Sequence, residues 1–307
     1  MNIPSLLLIL ASDIFPIFAI AAIGALLERR LPGSVKILSG ITFNALSPCL
    51  VFYQLVNSRL SGSEVGRMAL YCALLTSVMG MLARLATIPF GLDRRIGSSF
   101  LLTIMFSNSG NYALPLISFA FGAEALSHAS VYFVTSAILV YTVGVLIAAS
   151  STRGFKNAVQ GILHVPALYA LVAAGATLVF HITLPEAVIR PIGMLNDAAL
   201  PMMVLILGMQ LKRAVAPERP IVVGTAVTLS LVVCPMIGIL ISMLLNFTGA
   251  ARDAAITLAS MPSAVVTTVL ALEFDLDSSL VSSIVLVTTL LSPLTLTLII
   301  AWLRATS

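Results

Sequence analysis

Apolar runs of about 20 residues, parted by short polar breaks, follow one another along all 307 residues of this chain. Each run is long enough to cross the hydrocarbon core of a bilayer as a helix, a form that satisfies its own backbone N–H and C=O groups where no water is present. Composition agrees, with 59% hydrophobic and 9% charged residues, where a soluble domain carries about 25% charged. The chain reads as an all-α integral membrane protein with little sequence left for a soluble domain. Ten spans are predicted, over 5–27, 36–57, 66–90, 97–122, 125–149, 161–181, 187–211, 219–246, 251–273 and 279–303. The first contains Asp13 and Pro16, has no Lys or Arg before it and lacks a small-residue cleavage site, so it is expected to be a retained span and not a signal peptide. Cys49, Cys72 and Cys234 are isolated within apolar segments and suggest neither a disulfide framework nor a metal cluster.

Orientation follows from the cations, because Lys and Arg collect in cytoplasmic loops. An outside N-terminus puts eleven of them inside (Arg29, Arg30, Lys36, Arg84, Arg94, Arg95, Arg153, Lys156, Lys212, Arg213 and Arg219) and five outside (Arg59, Arg67, Arg190, Arg252 and Arg304). Both termini are therefore expected on the periplasmic side. The same rule accounts for the net charge of +4 without a nucleic-acid partner. The turn carrying Glu273, Asp275 and Asp277 reads as solvated.

The two halves of the chain resemble each other. GALLERRLP at 24–32 matches GATLVFHITLP at 175–185, and one offset of 153 superposes Pro32 on Pro185, Pro48 on Pro201 and Asn44 on Asp197. Five spans per half is an odd number, so the second half enters the membrane in the opposite sense. The expected architecture is a 5+5 inverted repeat, 1–150 and 151–307, of the kind found in many secondary transporters.

Within that repeat the fourth and ninth spans are interrupted at matching positions. The fourth contains SNSGNYALPL, with Ser107, Asn108, Ser109, Gly110, Asn111 and Pro115 at mid-span; the ninth contains SMPSAVVTT, with Ser260, Pro262, Ser263, Thr267 and Thr268. A helix broken in lipid must have its freed backbone groups met by protein or by a cavity, so neither break is expected to face lipid. A single such span is read as well by a kink plus polar glue between helices; a matched pair points to a transporter binding site. A half-helix that starts at the break offers free N–H groups and a positive dipole end to an anion, and one that ends there offers carbonyls to a cation.

Asp197, about ten residues into the seventh span, is an ionisable group at a costly depth and a candidate for proton or cation coupling, or a carboxyl hydrogen-bonded near the Pro201 break. Asp13 lies closer to the outer face, where capping or solvation explains it. His128, His164 and His181 fall at span ends and read as interfacial. Arg190 and Arg252 sit at outer mouths, placed either to attract anions or to snorkel to the interface. An enzyme is disfavoured, since no His is predicted at the depth of Ser107 or Ser260 and no GxxxxGK[ST], CxxC or HExxH motif occurs.

The fourth span, with Asn108 seven residues before Pro115, the stretch PMMVLILGMQL at 201–211, and the C-terminal run from SMPSAVVTT to TTLLSPLTL together resemble the auxin efflux carrier family, which includes the plant PIN carriers. The resemblance implies a scaffold of spans 1, 2, 6 and 7 and a mobile, elevator-like transport domain of spans 3–5 and 8–10. The broken helices would cross, with a substrate carboxylate at the crossing. Asn108 matches the family's fourth-helix asparagine and Pro262 the crossing proline of the ninth. The plant carriers have a proline directly before that asparagine, where this chain has Ser107, so the fourth-helix break is expected to depend on Gly110 and Pro115.

The expectation is a secondary transporter of a small organic anion in the bacterial inner membrane, working by alternating access. Asn44, Asn108, Ser109, Gly110, Asn111, Pro115, Ser260, Pro262, Ser263 and Thr267 are the candidate substrate residues, and Asp197 the coupling residue for H⁺ or Na⁺. No other cofactor is expected, and a homodimer would form through the scaffold helices. The competing readings are a membrane receptor or sensor, a passive channel, and a sodium-coupled symporter of the bile-acid type.

Overall fold

The computed structural model describes residues 3–58, 60–150, 166–212 and 219–306. The expected repeat boundary at 150/151, Arg59, Arg153, Lys156, His164, Arg213 and the start of the sixth span lie outside them. The regular elements among the described residues are all helices, with no strand among them. Seven helical stretches are long and apolar enough to cross a membrane: Leu6–Arg30, Ser34–Val56, Gly62–Thr87, Ser109–Ala149, Glu186–Leu211, Pro220–Leu244 and Ser278–Thr306. The fold is thus that of a multi-pass helical membrane protein. Long apolar side chains such as Phe180, Ile221 and Leu294 are exposed on its outside, which suits a surface solvated by lipid tails.

In chain order the helices are α1 (3–30), α2 (Ser34–Val56), α3 (Gly62–Thr87), α4 (Arg94–Met105), α5 (109–121), α6 (123–150), α7 (Pro166–Val179), α8 (Glu186–Leu211), α9 (Pro220–Leu244), α10 (Gly249–Ala259), α11 (Val266–Glu273) and α12 (Ser278–Thr306). The stretch Ser109–Ala149 holds 41 residues, which as one straight helix would run roughly 60 Å, twice the hydrocarbon thickness. Gly122 divides it, with φ 78° and ψ −166°, a conformation open to a residue without Cβ. Local chemistry sets other boundaries: Ser61 and Glu64 form a reciprocal capping box at the start of α3, and the Asp93 carboxylate accepts the Ile96 N–H at the start of α4.

The predicted fourth and ninth spans are each split. The fourth stops as an α-helix at Met105 and resumes, through a single wide turn at Ser109–Ala113, as α5; the ninth stops at Ala259 and resumes at Val266. The sixth is a 14-residue apolar helix, Pro166–Val179, among the described residues.

Glycines let α1 and α8 cross closely. A Cβ on Gly24 would fall on the Leu205 carbonyl and one on Gly208 on the Ala21 carbonyl, so each helix rests backbone to backbone on the other. α2 packs on both α7 and α8, and α10 packs on the 114–139 segment. Polar contacts group the loop residues at two ends of the bundle. Arg95 pairs with Asp275 at 2.7 Å at one end. Arg304 pairs with Asp13 at 2.9 Å, and Arg252 donates to the carbonyls of Leu303 and Thr306, at the other. Asp13 is buried in this ion pair, and so is neither a helix cap nor solvated.

Candidate functional site

The two breaks meet. Ser107 and Ser263 face each other in an isolated antiparallel bridge, closed by the Asn108 N–H donating to the Pro262 carbonyl at 2.8 Å and the Ala264 N–H donating to the Phe106 carbonyl at 2.8 Å. The backbone groups released by each broken helix are thereby met by the other. Because these bonds flank the Ser107–Ser263 pair, the two serines occupy a non-hydrogen-bonded position, where facing side chains lie closest. The Ser107 N–H takes no part in the bridge, so a proline at this position would remove neither of its hydrogen bonds.

Four helix ends converge on this bridge. α4 and α10 end near it with their last carbonyls, while α5 and α11 begin at it, the Ser109 N–H donating to the Ser107 carbonyl and the Thr267 and Thr268 N–H groups to the Ala264 and Val265 carbonyls. Asn108 is buried, and its Nδ2 has no hydrogen-bond partner. The hydroxyls of Ser263 and Thr257 are likewise buried and unpartnered. An orphaned donor of this kind costs about 1–3 kcal/mol, which a ligand acceptor would offset.

The remaining expected residues divide. Ser109, buried, and Gly110 and Asn111, half-buried, follow Asn108 in the wide turn, and Pro115 is buried one turn further on. Ser260 and Thr267 are buried near the second break, but their hydroxyls donate to the Ile256 and Ala264 carbonyls of their own chain segment, at 2.7 and 2.6 Å. Asn44 stands on an exposed face of α2 and donates to the Gly40 carbonyl. Asp197, 153 residues on, is also exposed, on α8, and accepts from Asn196, whose amide oxygen in turn accepts from Gln54 on α2. Neither Asn44 nor Asp197 has a hydrogen bond to the broken spans. His128, expected at an interface, is instead buried inside α6 at 2% exposure.

Three neighbours of the breaks escape a reading of the sequence. Thr288 on α12 accepts the Ser263 N–H at 3.2 Å. Ser292, one turn on, donates to the buried Tyr112 hydroxyl at 3.3 Å. Gln210 on α8 accepts from Asn111 Nδ2 at 3.4 Å. Thr288 and Ser292 look like ordinary hydroxyls in an apolar run, and Gln210 alone carried a signal, as the polar member of LILGMQL.

The family model described as membrane transport protein matches residues 9–162 and 156–300. A transporter of Methanothermobacter thermautotrophicus, itself uncharacterized, is 30% identical over 270 residues, covering 85% of this chain and 86% of its own. An uncharacterized transporter of Methanocaldococcus jannaschii is 24% identical over 274 residues, covering 86% and 88%. These matches run through both breaks and nearly the whole chain, and with them the resemblance read from the fourth and ninth spans becomes membership: the chain belongs to the membrane transport protein family, the auxin efflux carrier-like transporters.

Proposed function

We propose that the protein is a secondary active transporter that moves a small organic anion, a carboxylate, by alternating access, with ten spans arranged as a 5+5 inverted repeat whose halves are 1–150 and 151–307. The observation that carries this reading is the buried Asn108 amide, with an unpartnered N–H, at the bridge where both broken spans meet. Around it lie the N-terminal ends of α5 and α11, whose positive dipole ends favour negative charge even with the Ser109, Thr267 and Thr268 N–H groups donating to nearby carbonyls. Free carboxylate oxygens accept the donors that the buried Asn108 and Ser263 leave unmet. The family's model matches in two stretches that meet at 156–162, close to the proposed repeat boundary.

In this reading spans 1, 2, 6 and 7 form the scaffold and the other six the mobile domain. Asp197 couples transport to H⁺ or Na⁺ through the α2–α8 interface, and scaffold helices pair two copies. The protein sits in the inner membrane with both termini outside. The test is Asn108→Ala in reconstituted vesicles. Loss of anion flux by at least about tenfold is expected from removing a hydrogen bond to a charged group, with insertion and thermal stability kept. Wild-type flux would falsify the site. For Asp197, the Asn variant should lose the dependence of flux on pH or on Na⁺; an unchanged dependence removes it from coupling.

A further inference from the structure

Gln210 is brought to the first break by the packing of α8. Gly208 rests on the Ala21 carbonyl of α1, and two residues further along a helix turns the side chain by roughly 200°, away from α1 and toward the Ser109–Ala113 turn, against which α8 packs. There Asn111 Nδ2 donates to Gln210 Oε1. On its other flank the turn is closed, since a Cβ on Gly110 would come within 2.9 Å of the Phe133 ring. Gly110, Asn111 and Gln210 are half-buried, whereas Asn108, Pro262 and Ser263 are buried. Ser107 of the bridge is half-buried too, and Gln210 stands at the partly open rim of the first break.

We propose that Gln210 is a specificity-determining residue, whose amide oxygen competes with the substrate's carboxylate for the Asn111 side chain. The proposal rests on the anion-carrier reading above. A neutral ligand offers Asn111 only an acceptor like the one Gln210 already supplies, and so gains little by displacing it. A carboxylate forms a charge-assisted bond roughly twice as strong, and the exchange favours it. The contact thus selects anions over neutral analogues of the same shape. It also joins α8 to the broken fourth span, so anion binding would release one tie between the proposed scaffold and the mobile half.

The test uses purified full-length protein and four probes (acetate, benzoate, malate and indole-3-acetate) titrated by thermal shift, which reads binding to the folded state. Gln210→Met keeps length and removes the competing acceptor; Kd for the anions that bind should fall about threefold to tenfold, the range set by one neutral hydrogen bond. Gln210→Asn retracts the amide by one methylene and should act in the same direction. Gln210→Glu tethers a carboxylate beside Asn111, and Kd should rise by at least about tenfold. Opposite signs for Met and Glu are the signature, because a residue that merely fills space would move both the same way. Shifts of one sign in the Met and Glu variants, or none, overturn the role of Gln210. If no probe stabilises the wild type, or if Asn108→Ala leaves Kd unchanged, the anion reading itself falls and takes this one with it; Asn108→Ala weakening with same-sign Gln210 variants overturns Gln210 alone.

Discussion

At the scale of single residues, two glycines set how near α1 and α8 approach. A methyl group on Gly208 would overlap the Ala21 carbonyl, and one on Gly24 the Leu205 carbonyl; both neighbours are backbone, which cannot swing aside as a side chain can. Gly208→Ala must therefore push two helices apart, a strain of about 1–3 kcal/mol by comparison with overpacked cores. The expected result is a melting temperature lowered by several degrees in detergent. Gly224→Ala is the matched control, since a Cβ there meets nothing within 4 Å, and Ala exceeds Gly in helix propensity by about 1 kcal/mol. It should leave the melting temperature unchanged or raise it. Equal losses from the two substitutions would mean that the α1–α8 contact is not the close one described.

The broken spans are a property of elements, because each break supplies backbone hydrogen-bond partners to the other. The bridge that joins them can be trapped directly: in a non-hydrogen-bonded antiparallel pair the Cα atoms lie about 4.5 Å apart, within the roughly 4.4–6.8 Å that a disulfide spans. With Cys49, Cys72 and Cys234 replaced by Ala, the Ser107→Cys, Ser263→Cys double variant should oxidise to an intramolecular disulfide, read by intact mass after thiol alkylation. Both thiols remaining alkylatable under oxidant would remove the bridge. The existence of these breaks was legible in the chain because Asn, Gly, Ser and Pro at mid-span have no other inexpensive explanation in lipid, and the offset of 153 paired them. Their partners were not legible. Thr288, Ser292 and Gln210 reach the breaks through the rotation and depth of α12 and α8, which are fixed by contacts between helices; only Gln210 stands out locally, as the polar member of LILGMQL, and even there nothing in the sequence says which break it meets. The same limit applies to Asn44 and Asp197. Their matching positions were visible, but the exposed faces on which they stand depend on how α2 and α8 turn against α1 and α7. Gly122, an unremarkable glycine in sequence, proved to divide a 41-residue helical stretch.

At the scale of the whole molecule, the first and last helices are tied by one ion pair, and the proposed division into scaffold and mobile domain runs between them. Asp13 is buried and also accepts from the Ser12 hydroxyl; Arg304 reaches it with one nitrogen, gives another to the Ala120 carbonyl beside the Gly122 kink, and lies 5.9 Å from the centre of the Phe121 ring. Removing one partner of a fully buried pair costs about 3–5 kcal/mol. Arg304 is 37% exposed, so solvent screening reduces the loss to about 1–2 kcal/mol, and Asp13→Asn should destabilise modestly. The more telling measurement is mechanical. If spans 1 and 10 belong to bodies that move against each other, Asp13→Cys and Arg304→Cys joined by a short bifunctional thiol reagent should halt anion flux while binding survives, and cleaving the linker should restore it. Flux at the uncrosslinked rate through a fully linked population would place α1 and α12 in one rigid body, and the boundary of the mobile domain would have to be drawn elsewhere.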